Sequence, residues 1–118
     1  MSPKAIALWL VAVAVLATAI WRERAAVAQH DPRLSTGESG IVMLTAEWCG
    51  YCRRQQQMFA RAGVRYTALD IDTDAGDLAY RALSGRGVPI TVIGQQVIRG
   101  FDVKRLREHL QPLGYSLP

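Results

Sequence analysis

A small α/β domain ordered β-α-β-α-β-β-α, behind one apolar helix, is the architecture the sequence predicts, on three observations. Ala5 to Trp21 is an unbroken apolar run whose only polar side chain is Thr18. Ile41 to Thr45 (IVMLT) is the short, wholly apolar stretch that strands buried on both faces carry. Beyond it, apolar residues at helical spacing alternate with further strand-like runs as far as Leu110. The chain has 118 residues and a formal charge of +4, yet from His30 onward 11 Lys or Arg face 9 Asp or Glu, an excess of two. No block of five or six like charges occurs, so a polyanion-binding class is excluded and no nucleic-acid partner is expected.

The 17 positions from Ala5 to Trp21 span roughly 26 Å as a helix, close to the roughly 30 Å hydrocarbon core of a bilayer. Being apolar all round, the run reads as a membrane-entering segment and not as an amphipathic core helix. Ala26-Val27-Ala28 resembles a signal-peptidase site, but Arg22, Glu23 and Arg24 separate it from the apolar run, so retention as a single-pass anchor is favoured over cleavage and secretion. The positive-inside rule, with Lys4 before the run and Arg22, Arg24 and Arg33 after it, favours a cytoplasm-facing domain. A short basic start followed by an apolar stretch is also how exported segments begin, and the preferred expectation is an inner-membrane protein whose domain faces the periplasm or outside. The expected organisation is residues 1–21 as anchor or signal, 22–40 as a polar linker broken by Pro32, Gly37 and Gly40, 41–111 as the domain and 112–118 as a tail.

Within the domain, a helix is predicted from Cys52 to Ala62, ending before Gly63, with Cys52, Phe59 and Ala62 on one face. Val64 to Ile71 follows as a second strand. Asp74 to Leu83 makes the next helix, with Asp74 as N-cap and Ala75, Leu78, Ala79, Ala82 and Leu83 inward. Ile90–Ile93 and Gln96–Arg99 flank the turn signal Gly94-Gln95 as a hairpin. The last helix begins at Asp102, buries Val103, Leu106 and Leu110, and is stopped by Pro112. Two early strands each followed by a helix imply parallel crossover units, which the hairpin then completes in antiparallel fashion.

The only cysteines, Cys49 and Cys52, lie three apart. A bridge between them closes too small a loop to stabilise a fold, and a zinc site lacks ligands, since only His30 and His109 could be added; no bound metal is expected. Trp48-Cys49-Gly50-Tyr51-Cys52 falls between a buried strand and a helix, a context that makes Cys-x-x-Cys specific for redox chemistry. At a helix N-terminus the unpaired N–H groups favour the thiolate of Cys49, and Arg53 and Arg54 add positive charge. Cys52, one turn inward, is placed to attack a mixed disulfide on Cys49, making Cys49 the nucleophile and Cys52 the resolver.

Ala46-Glu47-Trp48-Cys49-Gly50 resembles the active-site entry of thioredoxins, and Tyr51-Cys52 is similar to the exit of dithiol glutaredoxins. Gly87-Val88-Pro89 is similar to the segment that carries the superfamily's cis-proline, and Arg99-Gly100-Phe101-Asp102 to the region where glutaredoxins hold glutathione. The resemblance covers Ile41 to Leu110. It implies a thioredoxin-like fold of the glutaredoxin type, three layers α/β/α, and a substrate or glutathione site made by Trp48, Tyr51, Val88, Pro89, Gly100, Phe101 and Asp102. Physical arguments run alongside it. A residue before proline is extended, leaving Val88 to pair with a bound peptide as a short added strand, whereas an ordinary edge-strand proline is the plainer reading of Pro89. Gly100 and Asp102 either present N–H groups to a carboxylate or simply cap the helix.

Two positions depart from the family patterns. Met43 stands where thioredoxins carry a buried acid, and Glu47 near the place where glutaredoxins commonly carry a lysine for a glutathione carboxylate. Arg53, Arg54 or Arg86 would have to supply that cation. The expected function is thiol:disulfide oxidoreduction of protein or glutathione mixed disulfides by a monomer, with glutathione as co-substrate and no permanently bound cofactor. Two alternatives are a glutathione-dependent [2Fe–2S] glutaredoxin with Cys49 as ligand, and an exported thiol oxidase.

Overall fold

The computed structural model describes residues Met1 to Pro118. Helix α1 runs from Pro3 to Ala28, about 39 Å at the α-helical rise. Ser2 caps it by accepting from the Ala5 N–H at 3.2 Å, Pro3 occupies the first turn, and none of its residues is buried. Thr18 donates back to the Ala14 carbonyl at 2.7 Å, so the one polar side chain of the apolar run is satisfied within the helix. Arg22 to Ala28, expected as linker, continue the helix. Periodicity is absent there, but Arg, Glu and Ala are good helix formers and need no apolar face to extend an existing helix.

The rest of the expected linker docks onto the domain. Asp31 accepts from the Arg33 N–H at 2.9 Å and pairs with its guanidinium at 2.6 Å; the hydrogen bond to Arg33 holds the Asp31 carboxyl below the usual carboxylate range, and that to Asp31 raises Arg33. The single turn α2, Arg33–Thr36, follows. Thr36 donates its hydroxyl to the Gly94 carbonyl, Gln95 Nε2 donates to the carbonyls of Arg33 and Gly37 at 3.0 and 2.8 Å, and the Gly94 N–H donates to Gly40 at 2.8 Å. These bonds pin residues 33–40 to the tip of the hairpin.

Four strands form one mixed sheet in the order β2-β1-β3-β4. They are β1, Ile41–Thr45; β2, Thr67–Asp70; β3, Ile90–Ile93; and β4, Gln96–Arg99. Strand β1 pairs in parallel with β2, Thr45 opposite Asp70, and antiparallel with β3, Leu44 opposite Ile90. The parallel step is bridged by α3, Gly50–Ala62, while the tight hairpin pairs Ile93 with Gln96. All five residues of β1 are buried, as a strand covered on both faces requires.

The layers follow from alternation along the strands. Ile41, Met43, Ile93 and Ile98 pack with Phe59 of α3 and with Leu106 and Leu110 of α5, Val103–Leu110. Val42, Leu44, Ile90 and Val92 pack with Ala79 and Leu83 of α4, Asp74–Ala82, and its cap. This is the expected α/β/α arrangement.

Several details correct the sequence reading. Gly63 turns left-handed at φ 68° and the Val64 N–H donates to the Phe59 carbonyl at 2.9 Å, so residues 64–66 complete a helix cap and β2 begins only at Thr67. Helix α4 is capped by Thr73, whose Oγ1 accepts from the Gly76 N–H at 3.2 Å and donates to the Asp70 carbonyl at 2.6 Å; Asp74 sits one position inside. Its inward face centres on Gly76, Ala79 and Leu83, and Ala75 is exposed. Gly76 lies so close to Asp70 that a Cβ there would overlap the Asp70 carbonyl. Gly76→Ala is expected to cost about 3 kcal/mol, read as a lowered urea midpoint with unchanged slope. Finally, the 112–118 tail belongs to the core: Leu113, Tyr115 and Leu117 pack on it, and Tyr115 Oη accepts from the Arg65 N–H at 3.4 Å.

Candidate active site

The end of β1 delivers the chain into a turn in which the Cys49 N–H donates to the Ala46 carbonyl at 3.1 Å. Cys49 is the N-cap of α3, extended at φ −92° and ψ 110°, and its Sγ accepts from the Cys52 N–H at 3.1 Å. The sulfur that caps the helix is therefore the one expected to act as nucleophile, and a helix N-terminus favours negative charge on it. Cys49 and Cys52 are joined as a disulfide, with Cα atoms 5.2 Å apart. Cys52 is completely buried and Cys49 6 % exposed, so the order of exposure is the expected one although both sulfurs are sheltered.

Opposite them lies the turn into β3. Cys49 Sγ is 3.7 Å from the Val88 carbonyl oxygen, and the Val88–Pro89 peptide bond is cis. Pro89 is buried, while Val88 is half-buried and neither its N–H nor its C=O takes a backbone hydrogen bond. That leaves both groups available to an extended ligand.

Aromatic residues form the rim. Trp48 is 66 % exposed with its Nε1 donating to Asp72 Oδ2 at 2.9 Å, which holds the indole beside the dithiol. Tyr51 is 59 % exposed, its ring centroid 6.1 Å from that of Phe101. Asp102 caps α5 by accepting from the Arg105 N–H at 3.1 Å, and Gly100 adopts φ 80° with nothing crowding its Cα. The capping role of Asp102 is thus realised, and Gly100 sits at a bend that a side chain would strain.

The three arginines considered as cations separate cleanly. Arg53 is held by the Glu47 carbonyl, to which its Nη1 donates at 2.8 Å. Arg54 lies over the Tyr51 ring, 5.4 Å from its centroid. Arg86 lines a groove of about 480 Å³ together with Gly87, Val88, Arg99 and Gly100. Arg99 is already committed, donating to the Leu83 carbonyl at 2.7 Å, so Arg86 is the charge of that groove left without a partner.

Sequence reasoning missed Gln55. It is fully buried on the dithiol face of α3 and bonds Thr91 of β3. Its only signal is its position, three after Cys52 and so on the face that Cys52, Phe59 and Ala62 mark.

A dithiol at a strand-to-helix corner, facing a cis X–Pro turn across a four-stranded mixed sheet, defines a protein of thioredoxin-like fold. The chain belongs to the glutaredoxin family: the Glutaredoxin family model matches residues 41–98. Glutaredoxin C1 of Populus tremula x tremuloides, solved in its holo form, is 30 % identical with a TM-score of 0.62, over 78 % of this chain and 89 % of that one. The buckwheat glutaredoxin–glutathione complex is 27 % identical with the same TM-score, over 78 % of this chain and 90 % of that one. Oxidized glutaredoxin 2 of Chlamydomonas reinhardtii, 19 % identical over 77 % and 96 % with a TM-score of 0.59, shares the fold. The comparison with curated proteins found no match.

Proposed function

We propose that the protein is a membrane-anchored thiol:disulfide oxidoreductase that reduces protein or glutathione mixed disulfides. The observation carrying this reading is the placement of Cys49 as N-cap of α3, bridged to a buried Cys52 and facing the open Val88 backbone. In the reducing direction the Cys49 thiolate attacks a substrate disulfide, forms a mixed disulfide and expels the first substrate sulfur as a thiolate. Cys52 then attacks Cys49 Sγ, the second substrate sulfur leaves, and the internal disulfide remains for a thiol reductant to reopen. An extended substrate backbone pairs with Val88, and Arg86 receives a substrate carboxylate in the role that Glu47 cannot fill. Glutathione, with which the buckwheat relative was solved, fits that description. Helix α1 is the one helix long and apolar enough to cross a bilayer, and the reading takes it as an anchor with the domain on the outer side.

The test is the reduction potential of the Cys49/Cys52 couple in the full chain in detergent, set by glutathione buffers and read by thiol trapping. A value of about −200 mV or lower supports a reductase, whereas one near −120 mV marks an exported oxidant instead. Cys52→Ser is expected to accumulate a mixed disulfide on Cys49, visible as an added mass that a thiol reductant removes. If no internal disulfide forms at any poise, the reading is wrong.

A further inference from the structure

Gln55 lies on α3 one turn beyond Cys52, and both side chains are completely buried between that helix and the sheet. Its Nε2 donates to Thr91 Oγ1 at 2.6 Å; Thr91 sits in β3 two residues past Pro89 and opposite Met43 of β1. Its Oε1 is the single buried side-chain polar atom in the chain with no hydrogen-bond partner. A buried, unpaired amide oxygen is costly, and a fold that keeps one invites the question of when it is paired.

Residues three apart on a helix are neighbours on one face, so the group nearest in sequence on this face is the Cys52 sulfur. In the disulfide that sulfur carries no hydrogen and offers nothing to an acceptor. Once the bridge is reduced, Cys52 becomes a buried S–H donor that itself needs a partner. We propose that Gln55 is a positioning residue for the dithiol, its Oε1 accepting a hydrogen bond from Cys52 S–H in the reduced form alone. The inference rests on the oxidoreductase reading and refines its site.

The electrons and protons balance with a small-molecule thiol as reductant. Two thiols are oxidised to their disulfide and the Cys49–Cys52 bond breaks, the two electrons passing to the pair. One proton stays on Cys52, held by Gln55, and the other goes to solvent, leaving Cys49 as thiolate. Gln55 thus directs the retained proton to the resolving sulfur and favours the dithiol over the disulfide. Thr91 fixes the amide plane, so that the free oxygen keeps its direction while the dithiol cycles.

The experiment compares the wild-type full chain with Gln55→Met in redox buffers. The variant loses the bond in the dithiol and also sheds the unpaired oxygen of the disulfide, so both changes push the same way. The expected result is an equilibrium shifted about tenfold toward the disulfide, a potential about 30 mV more negative. Thermal melting of the two redox forms supplies an independent check: both forms of the variant lose the bond to Thr91, but only the dithiol also loses that to Cys52, so the reduced variant falls further below its wild-type counterpart than the oxidised one does. A purely structural role lowers both forms together and leaves the potential in place, and that result, or a shift under twofold, overturns the inference. Gln55→Leu repeats the comparison should the Met variant not fold. A wild type that forms no internal disulfide removes the oxidoreductase reading as well; a wild type with a normal potential beside an unmoved variant removes only the role of Gln55.

Discussion

Cys49→Ser is expected to lower thiol–disulfide exchange by about three orders of magnitude or more, to the background of the buffer thiols. The argument is chemical before it is structural. A serine hydroxyl is not ionised near neutral pH and forms no disulfide, so neither the first attack nor the mixed intermediate survives. The fold should tolerate the change, because a serine oxygen caps a helix at least as well as a sulfur and the Cys52 N–H keeps an acceptor. A glutathione-coupled reduction assay, run beside a melting curve, separates the two: activity lost with the melting temperature retained is the predicted pattern. Retained turnover would place the chemistry elsewhere.

The largest effect on stability is expected from Phe59→Ala. Phe59 is completely buried at the centre of the larger core, edge-to-face against Tyr66 with ring centroids 5.1 Å apart. Deleting a buried phenyl group costs about 3–5 kcal/mol through lost transfer energy and the cavity left behind. Against a domain stability of about 5–15 kcal/mol, that is a large share, and in a domain of this size it corresponds to a fall of at least about 12 °C in melting temperature. Phe59→Leu should recover more than half of the loss, since most of the volume is restored. Equal melting temperatures for Phe59→Ala and the wild type would mean that the α3 face is not the core described here.

How much of this was legible beforehand differs by element. The buried strand at 41–45, the hairpin at 90–99, the Asp102 cap and the Cys-x-x-Cys corner all rest on short-range signals, and each stands where those signals put it. Arg22–Ala28 and residues 112–118 escape sequence signals for opposite reasons. The first is helical by propensity without an apolar stripe, and the second packs through Leu113, Tyr115 and Leu117, too few residues after Pro112 to show a period. Thr73 displaced Asp74 as a cap because its hydroxyl also reaches the Asp70 carbonyl, a contact that exists only once β2 is in place. At the site, the dithiol was readable, but the sorting of the arginines was not. Which of Arg53, Arg54 and Arg86 is tied down depends on the Glu47 carbonyl, the Tyr51 ring and the course of the 84–88 turn.

The docking of residues 33–40 onto the hairpin tip sets how far the dithiol can travel. Between the end of α1 at Ala28 and Arg33 stand only Gln29–Pro32, and these are folded into a turn, the His30 and Asp31 N–H groups donating to the Val27 and Ala28 carbonyls; even fully extended, four residues would reach only about 14 Å. With α1 embedded and the dithiol active as proposed, the domain is on a short leash and does not sweep the surrounding compartment. Its encounters become a search in two dimensions, governed by lateral diffusion, and the substrates it meets at high effective concentration are disulfides held within a domain's width of the same bilayer.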